Sequence, residues 1–190
     1  MIKVNLIVVS IVLVVSGLVY AKDTAGLGFG LGLSGSLEQE LDQTQDPDPV
    51  DLNPSLTINP WMEKKLHEMG YVGGSLHLTW LKADSNNDYR FTLHPMLRSR
   101  LSFPLVNNTT FDGIFSIGPS LWFESDEFEG RAGETRLGYA VRFAFGVSHP
   151  LNRDVNVYGN IGYMRSSTFG GNSEISMDYV PLFVGLKSRH

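Results

Sequence analysis

The sequence contains no cysteine among its 190 residues. This absence excludes a disulfide framework, a thiolate nucleophile, a thiolate metal site and a lipid anchor carried on a cysteine. Basic residues are also few, since 15 Lys and Arg stand against 20 Asp and Glu and leave a formal net charge of −5. This acidic balance argues against binding to nucleic acid or to an anionic surface.

A long apolar run occurs only at the amino terminus. Leu6–Val15 is almost entirely apolar, Lys3 precedes it, and residues 19–21 place small or β-branched side chains where a signal peptidase cleaves. We expect residues 1–21 to be a cleaved secretory signal and residues 22–190 to form the mature domain. Removal of Lys3 changes the formal charge from −5 to −6. An uncleaved anchor helix is the alternative, but the run is short for a span of about 20 residues.

Beyond the signal, hydrophobicity alternates instead of forming runs of membrane-helix length. In Leu137–Val147 every second residue is apolar, so that one face meets an apolar environment and the other a small or polar one. The pattern recurs along the chain, with Gly and Ser on many opposite faces, and predicts a closed barrel surrounded by lipid. The residues between the apolar ones in this segment are Gly138, Ala140, Arg142, Ala144 and Gly146.

Eight segments show this alternation, an even number as single-chain bacterial barrels require. The predicted fold class is all-β, an eight-stranded antiparallel up-and-down transmembrane β-barrel. The second segment is also compatible with a short helix from Asn59-Pro60 to Gly70. A strand is favoured because Thr57–Met62 matches the pattern of Thr92–Leu97. The segments are Ala25–Ser36, Ser55–Leu66, Tyr71–Lys82, Arg90–Leu105, Gly113–Glu124, Leu137–Val147, Asp154–Arg165 and Met177–Ser188.

The connections predict an orientation. Three of them are short and contain turn-forming residues, so we place them in the periplasm. These are His67–Gly70, Val106–Asp112 and His149–Arg153. The connections at the cell surface would be Leu37–Pro54, Ala83–Tyr89, Ser125–Glu134 and Ser166–Ser176. Aromatic residues then form two belts, an outer one of Trp80, Phe123 and Tyr163 and an inner one of Phe103, Phe115 and Phe145.

The mature chain resembles the small outer-membrane β-barrel proteins of Gram-negative bacteria, in the broad OmpA-like and OmpX-like group. The resemblance covers nearly all of residues 22–190 and rests on the Gly-alternating first strand, on Phe143–Leu151 and on the end Tyr179–Lys187. It implies an outer-membrane location, insertion by the barrel-assembly machinery, and contact with outer-membrane lipid and lipopolysaccharide. We further expect a monomer.

The interior of a barrel of this size is just wide enough for side chains. We interpret its polar residues as a structural ladder, because buried charges must pair. Glu124 and Arg136, which flank the third outer connection, are the pair predicted first. The alternative is a polar pathway for small solutes, with the glycines of the first strand leaving room. The ladder consists of Glu124, Arg136, Arg142, Arg98, Arg100, His94 and His77, and Glu63, Lys65 and Lys187 also point inward.

Two further features are candidates for a catalytic site and for a cation-binding site. His94, placed near the outer rim, has Ser85 and Asp88 nearby in sequence, the residue types used by lipid-modifying enzymes of this membrane. It lacks a recognised motif, so we predict no catalysis and no cofactor. The first outer connection carries only acidic charges. We expect a solvated loop, with divalent cation binding by Asp42, Asp46, Asp48 and Asp51 as the functional alternative; no metal site of known spacing is predicted.

These observations favour a non-enzymatic outer-membrane barrel with a structural or surface-interaction role through its extracellular loops. Its partner would be lipopolysaccharide, a host surface or another envelope protein. The first alternative is a narrow channel or small-ligand carrier, and a less favoured one is an enzyme that modifies lipid A. A soluble ligand-binding barrel is the fourth hypothesis, and it requires Phe143 and Phe145 to point inward.

Overall fold

The computed structural model describes residues 24–41, 50–51, 55–82, 89–123, 135–169 and 173–188, nearly all of them in strands. The strands are β1 (Thr24–Leu41), β2 (Val50–Asp51), β3 (Leu56–Lys65), β4 (Gly70–Lys82), β5 (Tyr89–Pro104), β6 (Thr110–Phe123), β7 (Thr135–Pro150), β8 (Val155–Thr168) and β9 (Ser173–Ser188). A 3-10 turn, Val106–Asn108, joins β5 to β6. Within these ranges no helix has the length and apolar character needed to cross a membrane.

The long strands form one closed antiparallel sheet. Each pairs with the next along the chain, and β1 also pairs with β9, so eight strands close into a barrel. The two-residue β2 only extends the edge of β1, opposite Ser36 and Leu37. The predicted fold class and all eight predicted strands are confirmed.

The segment that was open to a helix is a strand. β3 pairs with β1 on one side and with β4 on the other, and Ile58 lies opposite both Phe29 and Leu78. Pro60 is tolerated because the β3–β4 register skips positions 59 and 60, where a backbone donor is not required. The Asn59 side chain donates to the Leu76 carbonyl there, at 3.1 Å. The helix alternative is wrong.

The strands extend further than the alternation predicted. β1 continues to Leu41, and β8 and β9 leave only residues 169–172 between them, so the predicted connection Ser166–Ser176 is wrong. Asp112 also belongs to a strand rather than to a turn. At the end of β8 the buried residues are Ser166, Ser167 and Thr168, so the contrast between an apolar and a polar face is lost there. In the turn before β6, Asn107 and Asn108 have φ values of 57° and 58°, a conformation that asparagine adopts readily.

The apolar side of the alternation faces outward. Phe143 is 53% exposed and Phe145 is 62% exposed, whereas Arg142 and Ala144, which alternate with them, are buried. The predicted faces of β7 are therefore confirmed. The soluble-barrel hypothesis required the two phenylalanine side chains to point inward and is wrong.

The outer surface is an apolar band bounded by aromatic clusters. Near the ends of the strands that lead to the longer connections, Phe91 contacts both Trp80 and Phe123, with ring centroids 5.3 and 5.6 Å apart. Towards the short turns, Phe111 stacks on Phe145 at 6.0 Å. Such aromatic girdles mark the two edges of the hydrocarbon layer around a barrel.

The height of the band can be measured along β8. The first outward charge is Arg165, which pairs with Asp178 of β9. From Val155 to Arg165 is about ten residues, and at about 3.4 Å per residue on a strand tilted by about 40° this spans about 25 Å. A barrel that crosses an outer membrane presents an apolar band of this height.

Replacement of Phe143 by Arg tests the outward face. The Phe143→Arg variant should lose about 2–4 kcal/mol of unfolding free energy, because the charge would lie near the middle of the bilayer. The measurement is urea unfolding of the protein folded into lipid vesicles. Phe143→Leu serves as the control, since leucine keeps the surface apolar. An equal loss in the two variants would contradict a lipid-facing position.

Candidate functional site

The end of the lumen near the short turns is filled by a network of ion pairs. Glu63 of β3 is completely buried and accepts hydrogen bonds from Arg98 Nε at 2.5 Å and Arg100 Nε at 2.7 Å. Arg100 also reaches Asp112 of β6 at 3.2 Å, and Lys187 of β9 contacts the second Asp112 oxygen at 3.2 Å. We call Glu63, Arg98, Arg100, Asp112 and Lys187 the basal cluster.

Neighbouring side chains complete the coordination of these ions. Ser102 donates to Asp112 at 2.6 Å. The Arg98 guanidinium lies 4.7 Å from the Trp61 ring centroid, and the Arg100 guanidinium lies 3.8 Å from that of Tyr71. Buried ions stabilise a structure only when hydrogen bonds and favourable contacts offset the loss of water. The basal cluster meets this condition for both of its carboxylates.

The inward glycines of β1 do not leave an open path. A Cβ atom on Gly26 would lie 2.4 Å from the Trp61 ring, and one on Gly30 would lie 2.5 Å from the Phe183 ring. Large rings therefore occupy the space that the glycines provide. Trp61 in turn donates its Nε1 hydrogen to the Tyr158 hydroxyl at 3.0 Å. The alternation of glycine in β1 thus serves close packing across the lumen.

The middle of the lumen contains two histidines and an arginine. His77 of β4 lies directly opposite His94 of β5, and both are completely buried. The predicted position of His94 near the outer rim is therefore wrong, because it lies beside the mid-barrel His77. In the described part of the chain, neither imidazole has a hydrogen-bond partner. The His77 ring instead packs edge-on against Phe183, at 5.7 Å.

Arg142 of β7 is also completely buried, but it contacts no carboxylate among the described residues. It donates to Asn160 of β8, and its guanidinium lies 4.9 Å from the Phe183 ring centroid. Its Nε and Nη1 atoms have no partner within the described ranges. Arg142 is therefore a residue of the predicted ladder that forms no ion pair among the described residues.

The half of the lumen towards the longer connections combines buried apolar side chains with hydroxyl pairs such as Thr57–Thr79 and Ser120–Ser166. Its buried apolar side chains form one contiguous group, which we call the outer lumen cluster. The Tyr179 hydroxyl lies 3.1 Å from the Met164 sulfur and 3.5 Å from the Thr79 hydroxyl. The alternation placed residues such as Ala140 on the inward face, but it did not predict this group, because its members come together only across several strands. Its members are Leu81, Met96, Trp122, Ala140, Met164, Ile175, Met177 and Tyr179.

The remaining predicted residues are only partly described. Arg136 is half-buried on β7, opposite Trp122. Glu124, Asp42, Asp46 and Asp48 lie outside the described residues, as does residue range 1–23, so the Glu124–Arg136 pair and the signal peptide stay predictions.

The structure describes the predicted cation-binding loop only at Asp51, and it contradicts the predicted inward position of one lysine. Asp51 lies in β2, where its backbone pairs with Ser36. Lys65, which was predicted to point inward, is exposed at the end of β3. Within the described ranges, no three His, Asp or Glu side chains come close enough to hold a metal ion. Cation binding by the first outer connection therefore also stays a prediction.

Comparison with known proteins gives structural matches and no sequence match. No protein-family model and no curated protein matches this sequence. The outer membrane protein OprG from Pseudomonas aeruginosa superposes with a TM-score of 0.60 at 12% identity, over 90% of this chain and 96% of OprG. Neisserial surface protein A, NspA, gives 0.56 at 9% identity, over 89% of this chain and all of NspA.

The outer membrane protein AlkL, solved in lipid bilayers, gives a TM-score of 0.51 at 11% identity, over 90% of this chain and 92% of AlkL. Identities this low show the fold alone. Combined with the apolar outer band, that fold decides the class. The chain is an outer-membrane β-barrel.

Replacement of Glu63 tests how much this outer-membrane barrel depends on its basal cluster. Glu63→Gln leaves Arg98 and Arg100 buried without their shared carboxylate, so we expect a loss of about 3–5 kcal/mol in urea unfolding from lipid vesicles. Glu68→Gln, the same change on an exposed turn residue, is the matched control and should have almost no effect. If the two variants unfold alike, the ion pairs contribute nothing to stability.

Proposed function

We propose that this barrel is a non-conducting, non-enzymatic protein of the outer membrane, with a structural or surface-interaction role carried by its extracellular loops. The observation that carries the proposal is that buried side chains fill the lumen along the described parts of the strands. Two layers of buried side chains cross it, one ionic and one apolar, and each spans several strands.

The basal cluster supports closure at the periplasmic end. Its five charged side chains are each less than a tenth exposed and link β3, β5, β6 and β9 across the barrel. A solute that entered here would have to separate buried ion pairs. Breaking such a pair leaves an uncompensated charge and costs several kcal/mol.

The outer lumen cluster supports closure at the other end. Trp122, Met96, Met164 and Met177 have no exposed surface. Water and ions enter a group of buried apolar side chains only at a cost, because these side chains offer few hydrogen bonds. An eight-stranded barrel of this kind is filled by its own side chains.

The surroundings of the histidines support a role without catalysis. His94 is completely buried, and the residue opposite it is His77 rather than a hydroxyl or a carboxylate. A general base must lie within hydrogen-bond reach of the group that it deprotonates. The lipid that would be the substrate lies outside the barrel wall, on the other face of β5.

The outer edge of the apolar band supports contact with lipopolysaccharide. Tyr163 donates to Asp178, and Arg165 lies 3.7 Å from the same carboxylate, on the outward face of β8 and β9. Hydrogen-bonding groups at this level match the polar part of the outer leaflet. The acidic first connection, with Asp42, Asp46 and Asp48, adds carboxylates suited to the divalent cations found among lipopolysaccharide phosphates.

Planar bilayer recordings test closure. The purified barrel should produce no stepwise conductance, because neither layer leaves a continuous aqueous path. The Trp122→Ala variant removes the largest side chain of the outer lumen cluster and should also stay silent, since the basal cluster still closes the other end. Reproducible current steps in the unmodified protein would instead favour the narrow channel.

Lipid A analysis tests the absence of catalysis. Overproduction of the protein should leave the mass spectrum of lipid A unchanged, and overproduction of His94→Ala should give the same spectrum. A new lipid A species that disappears in the His94→Ala strain would show that the barrel is an enzyme.

A further inference from the structure

A polar cluster lies on the outward face of the barrel where the apolar band ends. It consists of Tyr163 and Arg165 of β8 and Asp178 of β9, and Arg165 is directly opposite Asp178. The Tyr163 hydroxyl donates to one oxygen of Asp178, and Arg165 Nη1 lies 3.7 Å from the other oxygen. We call these three residues the rim cluster. It places a pair of charges against the membrane instead of in the lumen.

Arg165 is the more exposed of the two ions. Its side chain is 50% exposed, whereas that of Asp178 is 24% exposed. A guanidinium has five N–H donors and no acceptor, and one carboxylate engages at most two of these donors. Arg165 therefore presents N–H donors to its surroundings, and a molecule that binds there must offer acceptors.

Aromatic rings flank the rim cluster on the side of β7. Tyr139 of β7 packs against Phe169, which follows β8, with ring centroids 5.7 Å apart. Tyr139 lies two residues from Val141, which is directly opposite Arg165. Both rings are exposed. An exposed ring with a polar tip suits a partner that is apolar on one side and hydrated on the other, as a sugar ring is.

An apolar strip continues from the rim cluster towards the short turns. Phe143 is opposite Tyr163, and Ile161 is opposite Leu182. The side chains of Phe143, Ile161 and Leu182 are exposed on the outer wall, within the band that the hydrocarbon layer surrounds. A molecule that covers both the strip and the rim cluster has acyl chains and a polar head group. Such a molecule is a membrane lipid.

The position of the rim cluster selects the lipid. The longer connections of an outer-membrane barrel lie at the cell surface, so the rim cluster faces the outer leaflet, where the lipid is lipopolysaccharide. We propose that the rim cluster is a binding site for the lipid A part of lipopolysaccharide. Arg165 donates to a phosphate of the glucosamine backbone, and Asp178 accepts from a sugar hydroxyl or amide group. Tyr139 and Phe169 pack against the sugar.

Native mass spectrometry of the purified barrel in detergent tests the site. The barrel should retain diphosphorylated lipid A and bind phosphatidylglycerol more weakly. Arg165→Gln should weaken lipid A binding about tenfold, because a hydrogen bond between two charged groups is lost. The matched control is Arg153→Gln, which removes an exposed guanidinium from the short turn before β8 and should not change the affinity. Equal affinities of the two variants, or of the two lipids, would overturn the proposal.

Thermal unfolding in detergent gives an independent measurement. Lipid A should raise the unfolding temperature of the unmodified barrel and of Arg153→Gln more than that of Arg165→Gln, because a ligand stabilises the state that binds it. An equal rise in all three proteins would contradict a site at Arg165. The inference rests on the surface role proposed above, but the two fail separately. Loss of the site would leave the closed lumen and the absence of catalysis untouched, since bilayer conductance and the lipid A spectrum do not depend on Arg165.

Discussion

The pairing of β1 with β9 is the constraint on which the rest of the structure depends. Inside a hydrocarbon layer no water is available for an unpaired backbone N–H or carbonyl group, so a spanning sheet must have no open edge. The register from Gly26 with Lys187 to Leu41 with Ser173 provides this closure. Closure divides every strand into a lipid face and a lumen face. It also makes the lumen narrow, and glycines in β1 then admit the rings of Trp61 and Phe183.

The two halves of the lumen are filled by different kinds of side chain. Near the short turns, ions are buried in contact with ions of opposite charge, as Glu63 is between two arginines. Towards the longer connections, methionine side chains such as Met96 and Met164 fill the irregular space between strands. Methionine suits this use because its unbranched side chain adapts to irregular gaps. Arg142 lies between these two regions, and no carboxylate among the described residues contacts it.

The sequence was sufficient for the fold because period-two alternation survives in all eight strands, even through Pro60. It was not sufficient to predict the ion pairs. Glu63 of β3 contacts Arg98 of β5 across the intervening β4, and this contact depends on a strand register that no local sequence pattern contains. The sequence analysis placed Asp112 in a turn instead of in β6. Thr110 and Asp112 are polar, point inward and follow a turn directly, so they resemble turn residues. The outer lumen cluster was missed because alternation distinguishes two faces without revealing that both are apolar, as at Met96 and Leu97.

The basal cluster also has a consequence for the order of folding. One of its contacts, between Lys187 of β9 and Asp112 of β6, joins residues far apart in the chain, so it forms only when the last strand has docked. Contacts of high sequence separation form slowly, because loop closure must come first. Once formed, the Lys187–Asp112 pair must break before β9 can leave the barrel. This ion pair therefore slows the departure of the last strand more than it speeds its docking.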